Sequence, residues 1–233
     1  MSGSGGAAAL AWRRFRRTVA PSATYLLITI TLLVFLAQLL PGSGVTEALL
    51  YSPAYSVPAT GAPFEPWRMI TVGFVHSTGV ILHILFNMLA LWMFGQPLEA
   101  MIGKWRFLAV YFLSTLGGSI AVLYLVSPFQ GVVGASGAIF GLLGAFFVIA
   151  RNSGTNTTGL LVMIALNLGI GLFFRTISWQ AHIGGLIAGA LVALIFVRTP
   201  RRAQRNLQIT LLVALTALLL LISFWPAISG STP

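Results

Sequence analysis

The chain has 233 residues, 58% of them hydrophobic and only 7% charged, with a mean hydropathy of +0.96, and that much apolar surface cannot be hidden in a soluble core. Its formal charge of +10 comes from 13 Lys and Arg against 3 acids, but the basic residues flank apolar runs, which points to membrane topology and not to nucleic acid. Cysteine and aspartate are absent and Glu47, Glu65 and Glu99 are the only acids, so disulfides, thiolate chemistry, an aspartate dyad and a Ser-His-Asp triad are excluded; no H-E-x-x-H zinc pattern occurs either. Chemistry then falls to Ser, Thr, Tyr, Lys or His, with no metal and no cofactor expected.

From the start of the chain, residues 1–20 read as a cytoplasmic tail, Gly/Ser/Ala-rich at first and then basic at Arg13, Arg14, Arg16 and Arg17. The apolar run 22–40 is long for a signal h-region and lacks a small-x-small site before Pro41, so it is the first span. Across 41–79, prolines at 41, 53, 58, 63 and 66 preclude one continuous helix. The aromatics of this long loop (Tyr51, Tyr55, Phe64, Trp67, Phe74) suit a segment lying in the membrane interface, and a plain extracellular loop fits the sequence equally well.

Six further apolar spans follow, at 80–94 with a continuation open to 102, then 107–126, 136–150, 159–174, 180–197 and 209–225. The fourth span of the chain offers about fifteen residues before Arg151, short of the ~20 that cross the hydrocarbon, so the glycine-rich stretch before it is expected to dip into the membrane. Alternating loops put every Lys and Arg except Arg68 and Arg175 on the side of the amino terminus, consistent with a cytoplasmic tail and an extracytoplasmic carboxyl terminus.

In that topology Ser136 begins an inward-running span within 131–144, G-V-V-G-A-S-G-A-I-F-G-L-L-G, and His182 lies near the outer start of another. His83 and Asn87 stand four apart on the second span, hence on one helix face, with Asn87 about 6 Å deeper. The glycines around Ser136 serve helix packing as well as catalysis, whereas buried His and Asn in lipid are costly and point to function. A serine hydroxyl needs a neighbouring base, for which His182 is the candidate; Asn87, His83 and the Ser136 N–H are candidate donors to an oxyanion. No acid is available to orient the histidine. Ser136 at a helix N-terminus adds the positive end of the dipole, and water must reach the site through a cavity open to the outer face.

The ordered set Trp67-Arg68, His83-Ile-Leu-Phe-Asn87, Gly95 to Glu99, Gly134-Ala-Ser136-Gly137 and Ala181-His182 followed by Gly185 and Gly189 resembles the rhomboid intramembrane serine proteases over residues 67–195. The resemblance implies an all-α, polytopic helical bundle: a six-helix core at 21–198 that includes the loop 41–79, with a linker and an added seventh transmembrane helix at 199–233. It implies Ser136 as nucleophile, His182 as general base, and His83 and Asn87 with the Ser136 amide as the oxyanion hole. Gly134 would keep its loop close to the scissile carbonyl, and Gly137, Gly141, Gly185 and Gly189 would form the seam between the fourth and sixth helices. Transmembrane protein substrates would enter from the lipid beside the fifth span and be cut near small residues.

Three features depart from the family pattern. Phe140 stands where some members carry a tyrosine, which keeps stacking on the histidine and loses the hydroxyl; His76 has unfamiliar spacing and reads as a polar loop residue; and the seventh span has no chemical role. Arg68, Glu99 and Trp67 read as structural. A proteolytically silent relative would lack Ser136 or His182, and a channel or transporter is disfavoured by the scarcity of acids in the spans.

Overall fold

The computed structural model describes residues 22–173 and 177–230; the basic tail with its four arginines, and Arg175, lie outside the described residues. Seven apolar helices carry the architecture among the described residues: α1 (Ala23–Gln38), α2 (Ile81–Ile102), α3 (Lys104–Leu125), α4 (Ser136–Asn152), α5 (Thr158–Phe173), α6 (Trp179–Arg198) and α7 (Arg205–Ser229). Four of them, α2, α3, α6 and the helix ending at Ser229, are long and apolar enough to cross a membrane. The other three are apolar helices of 16 or 17 residues. No strand occurs among the described residues beyond one antiparallel bridge between Tyr51 and Val132.

Apolar side chains fill the core and also cover much of the outside, unlike those of a water-soluble bundle. Leu33, Leu36, Phe86, Leu166 and Val213 are each more than half exposed, while Thr24, Thr31, Ser114, Ser119 and Asn87 are buried. Water would penalise so much exposed apolar surface and lipid accepts it, so the chain is a multi-pass membrane protein.

At the centre, α4, α6 and α3 meet backbone to backbone. A Cβ added at Gly185 would overlap the carbonyl oxygen of Gly137, and one at Gly189 the carbonyl of Gly141. On the α3 side, a Cβ at Gly117 would collide with Ala188, one at Gly118 would lie 2.8 Å from the Ala181 carbonyl oxygen, and Gly141 faces the Ser114 side chain. Lipid supplies no hydrophobic drive between helices, so such contacts rest on dispersion across closely apposed surfaces, which small residues permit. Around this centre α1 and α2 add a shared apolar layer, with Leu27, Ile84, Leu91 and Leu98 buried. α5 buries only Ile164 and Gly171 of its own residues, and Ile164 packs with Phe140 and Leu143 of α4.

Polar groups tie the outer elements down. Glu99, near the end of α2, accepts from the Ala23 and Thr24 amides at 2.8 and 2.9 Å and from the Ser22 and Thr24 hydroxyls, so a distant carboxylate caps the N-terminus of α1. In the long loop, Arg68 is buried; it pairs with Glu65, donates to the Glu47 and Leu50 carbonyls, and stacks 4.0 Å from the Tyr55 ring centroid. Tyr51, Val57, Met69 and Val72 form a second core with Leu116 and Val122 of α3 and Leu219 of α7. The loop is thus a packed layer on the bundle, with Trp67 half exposed at its surface.

One helix takes up the continuation to Ile102 that its sequence left open, and another exceeds the sequence expectation at both ends. α2 runs unbroken to Ile102 through Pro97, held by fully buried Leu91 and Leu98 on either side of the proline. α7 begins at Arg205, four residues before its apolar run, and continues past Pro226, which sits in its last turn, where few bonds remain to lose. Tyr124 of α3 donates to the Ile222 carbonyl at 2.9 Å, and Phe224 lies 6.0 Å from Phe64, so α7 braces both α3 and the loop.

The helix seam makes a graded prediction. Gly185→Ala forces α4 and α6 apart and should lower stability by about 1–3 kcal/mol, the usual cost of overpacking. Gly137→Ala, whose Cβ would meet the Ala181 carbonyl oxygen at 3.2 Å, needs only a small adjustment and should cost clearly less, as read from thermal unfolding in detergent.

Candidate active site

Ser136 is the first residue of α4, one residue beyond the N-cap Ala135, so its N–H has no carbonyl partner within the helix. His182 sits in the first turn of α6, where the Ser178 hydroxyl accepts from the Ala181 amide at 3.3 Å. The glycine seam brings these two helix starts together, and Ser136 Oγ lies 2.9 Å from His182 Nε2. Phe140, one turn along α4 from Ser136, stacks on the imidazole with centroids 4.1 Å apart and planes 12° from parallel. His182 Nδ1 is buried with no hydrogen-bond partner among the described residues. For Nε2 to accept from the serine hydroxyl, the ring proton must reside on Nδ1.

His83, in the first turn of α2, has the complementary tautomer. Its Nδ1 accepts from the Ser77 amide at 3.3 Å, which leaves the proton on Nε2. That N–H faces Gly134: a Cβ there would lie 2.8 Å from His83 Nε2 and 3.8 Å from Ser136 Oγ. Gly134 has φ +126°, a conformation side-chain-bearing residues rarely adopt, and its amide donates to the Val72 carbonyl at 3.1 Å. The space that a side chain at Gly134 would fill is therefore bordered by the Ser136 hydroxyl and an imidazole N–H. Asn87 donates one amide hydrogen to the His83 carbonyl at 2.7 Å and keeps a second; its Oδ1 is buried without a partner.

A cavity of about 420 Å³ runs beside the pair, between the loop residues Gln130 to Val133 and the facing ends of α5 and α6. Gly171 on its wall is also close to the histidine, since a Cβ there would stand 3.7 Å from His182 Nδ1. Gly137, Gly141, Gly185 and Gly189 lie in the seam behind the pair, whereas Arg68 is engaged in the loop and Glu99 at the start of α1.

His76 differs from its sequence reading as a polar loop residue, because it is fully buried. Its Nε2 accepts a long 3.5 Å bond from the Ala135 amide, the residue before Ser136, and its ring lies 5.1 Å from that of His83. Gln38 at the end of α1 brackets the His76 backbone, donating to its carbonyl at 2.9 Å and accepting from its amide at 3.1 Å. No periodicity connects Gln38, His76 and Ala135, so sequence spacing could not reveal this support; an uncharged polar residue at the end of an apolar span was the one available hint. Burial, reinforced by His83, pushes the His76 pKa down to about 3. In the unfolded chain the imidazole titrates near its ordinary value, so between pH 6.5 and 3 the unfolded state holds the extra proton and stability falls as pH falls. Replacing the histidine by His76→Gln should flatten the decline of the thermal midpoint over that window, measured in detergent at fixed ionic strength.

Residues 63–199 match the family described as "Rhomboid domain". Rhomboid protease GluP of Bacillus subtilis (strain 168) is 40% identical over 84% of this chain and 39% of its own length. RHOMBOID-like protein 5 of Arabidopsis thaliana is 37% identical over 61% of this chain and 48% of its own, and RHOMBOID-like protein 6, mitochondrial, of the same organism is 36% identical over 59% and 46%. The chain spans less than half the length of each of these relatives. With more than half of its residues inside the matched domain, and with Ser136, His182, His83 and Asn87 all falling within it, the chain belongs to the rhomboid family.

Proposed function

We propose that the chain is an intramembrane serine endopeptidase that hydrolyses peptide bonds in or next to transmembrane segments of membrane proteins. The observation that carries this reading is the 2.9 Å contact between Ser136 Oγ and His182 Nε2, in a chain with no aspartate and no cysteine. His182 takes the Ser136 proton at Nε2 as Oγ attacks the scissile carbonyl. The carbonyl oxygen, now an anion, falls in the space beside Gly134, where His83 Nε2–H, the second amide hydrogen of Asn87 and the Ser136 N–H can donate. His182 then passes its proton to the leaving amine, giving an acyl-Ser136. Water repeats the sequence: His182 accepts its proton, hydroxide attacks the ester, and the proton returns to Oγ as the acid product leaves.

No carboxylate orients the base, so packing must. Phe140 fixes the ring plane, and the close approach of α4 and α6 fixes its distance. The cavity beside Gln130 to Val133 offers room for an extended substrate segment entering from the lipid near α5, which has few buried residues to displace. On this reading residues 21–198 form the catalytic six-helix core and 199–233 the linker and an added helix. The amino terminus is cytoplasmic, and the carboxyl terminus and the active-site opening are extracytoplasmic. The partners are the bilayer and transmembrane substrates.

The test is labelling of the purified chain with a fluorophosphonate, alongside cleavage of a transmembrane substrate in liposomes. Ser136→Ala should abolish labelling, and Ser136→Ala and His182→Ala should each reduce cleavage by at least about 10³-fold. Asn87→Ala should reduce kcat by about 10²-fold while labelling by the reagent persists. Cleavage surviving in Ser136→Ala, or labelling at another residue, would overturn the proposal.

A further inference from the structure

At the end of the bundle opposite Ser136, the start of α3, the linker 199–204 and the start of α7 enclose a second cavity of about 610 Å³. His182 lies near the other end of α6, and about 24 Å of helix rise separates it from Arg198, so this cavity is remote from the serine–histidine pair. Its lining is amphipathic. Arg106, Arg201, Arg202 and Arg205 line it together with the apolar residues Ala109, Ile209 and Leu212, and no acidic residue takes part. Of the three glutamates in the chain, Glu65 is engaged by Arg68, Glu99 caps α1, and Glu47 lies in the short helix Val45–Leu49 of the long loop.

The positive-inside tendency accounts for basic residues at this end of the helices and does not account for their convergence on a cavity. The floor is built: Gln208, itself buried, accepts from Arg106 Nε at 3.1 Å and donates to the Thr199 carbonyl and hydroxyl at 3.1 and 2.7 Å. Arg106 is further held 5.3 Å over the Phe196 ring. Trp105 at the rim is 79% exposed, as an indole at a membrane–water interface would be. Of the apolar lining residues, Ala109 belongs to α3, and Ile209 and Leu212 to α7. Guanidiniums match phosphate oxygens bidentately, and apolar residues of α3 and α7 beside them suit a phosphate that carries acyl chains.

We propose that this cavity is a binding site for the headgroup of an anionic phospholipid, its phosphate held by the arginines and its acyl chains lying along α3 and α7. Lipid bound there would bridge α7 to α3 at the end of the bundle where α7 enters the membrane.

The test is native mass spectrometry of the full chain from detergent, titrated separately with phosphatidylglycerol, phosphatidylcholine and inorganic phosphate. The expected result is one tightly held phosphatidylglycerol, weak phosphatidylcholine, and no displacement by inorganic phosphate. The exposed pair Arg202→Gln/Arg205→Gln, which leaves the Gln208 floor intact, should weaken phosphatidylglycerol binding by about thirtyfold. Arg151→Gln, at the end of α4 and outside the cavity, should leave it unchanged. Equal binding of both lipids would show association without charge selectivity, and equal weakening by Arg151→Gln would show diffuse surface attraction; either would overturn the proposal. Displacement of the lipid by inorganic phosphate at similar concentration would assign the cavity to free phosphate and overturn the lipid.

Discussion

The backbone contact between α4 and α6 is the constraint on which the rest of the molecule depends. A histidine on one helix reaches a serine on another at 2.9 Å only if the two helix axes come closer than ordinary side chains allow. Gly137 against Gly185 and Gly141 against Gly189 remove those side chains at successive turns, and Gly117, Gly118 and Gly184 extend the same close packing to α3. In lipid this solution is also the stable one, because association there rests on contact area and small residues maximise it. The seam that holds the fold and the seam that sets the distance between Ser136 and His182 are the same surface.

Around that seam, polar groups are spent sparingly and mostly on positioning. The proposed proton transfer calls for opposite neutral tautomers in two histidines near one another: the Ser77 amide holds the His83 proton on Nε2, and acceptance from the Ser136 hydroxyl places the His182 proton on Nδ1. One ring is thereby a donor toward the space beside Gly134, and the other an acceptor toward the serine. His76 adds a third ring whose burial keeps it neutral, where it can accept from the Ala135 amide and steady the turn into α4. A positive charge there would repel any His182 imidazolium formed during proton transfer, so neutrality at His76 suits the proposed chemistry.

The legible part of the fold was what has a period or a composition. Apolar runs between Gly, Pro and Arg located the seven long apolar helices of the described residues, and spacing by four placed His83 and Asn87 on one helix face of α2. Both are local properties. The supports that join distant segments were not legible: Glu99 capping α1, Gln38 clasping His76, and Arg68 drawing Glu47, Leu50 and Tyr55 together. Each is a polar side chain whose partner is mostly backbone, and backbone groups are present at every residue, so nothing in the partner's identity marks the pairing. His76 shows the same limit, since a loop histidine and a buried one have identical sequence context.

The two ends of the bundle also divide the labour that composition had lumped together as a net charge of +10. The immediate surroundings of Ser136 are furnished with neutral donors and acceptors, the Arg68–Glu65 pair of that end lying in the loop, as suits the proposed reaction, in which charge appears only transiently. The opposite end collects the arginines, and there the counter-charge must come from outside the chain because so few acids exist within it. A scarcity of carboxylates thus bears on both proposals: it leaves His182, as the proposed base, to be oriented by packing alone, and it leaves the arginine end to take its anions from the membrane if the proposed lipid site is filled.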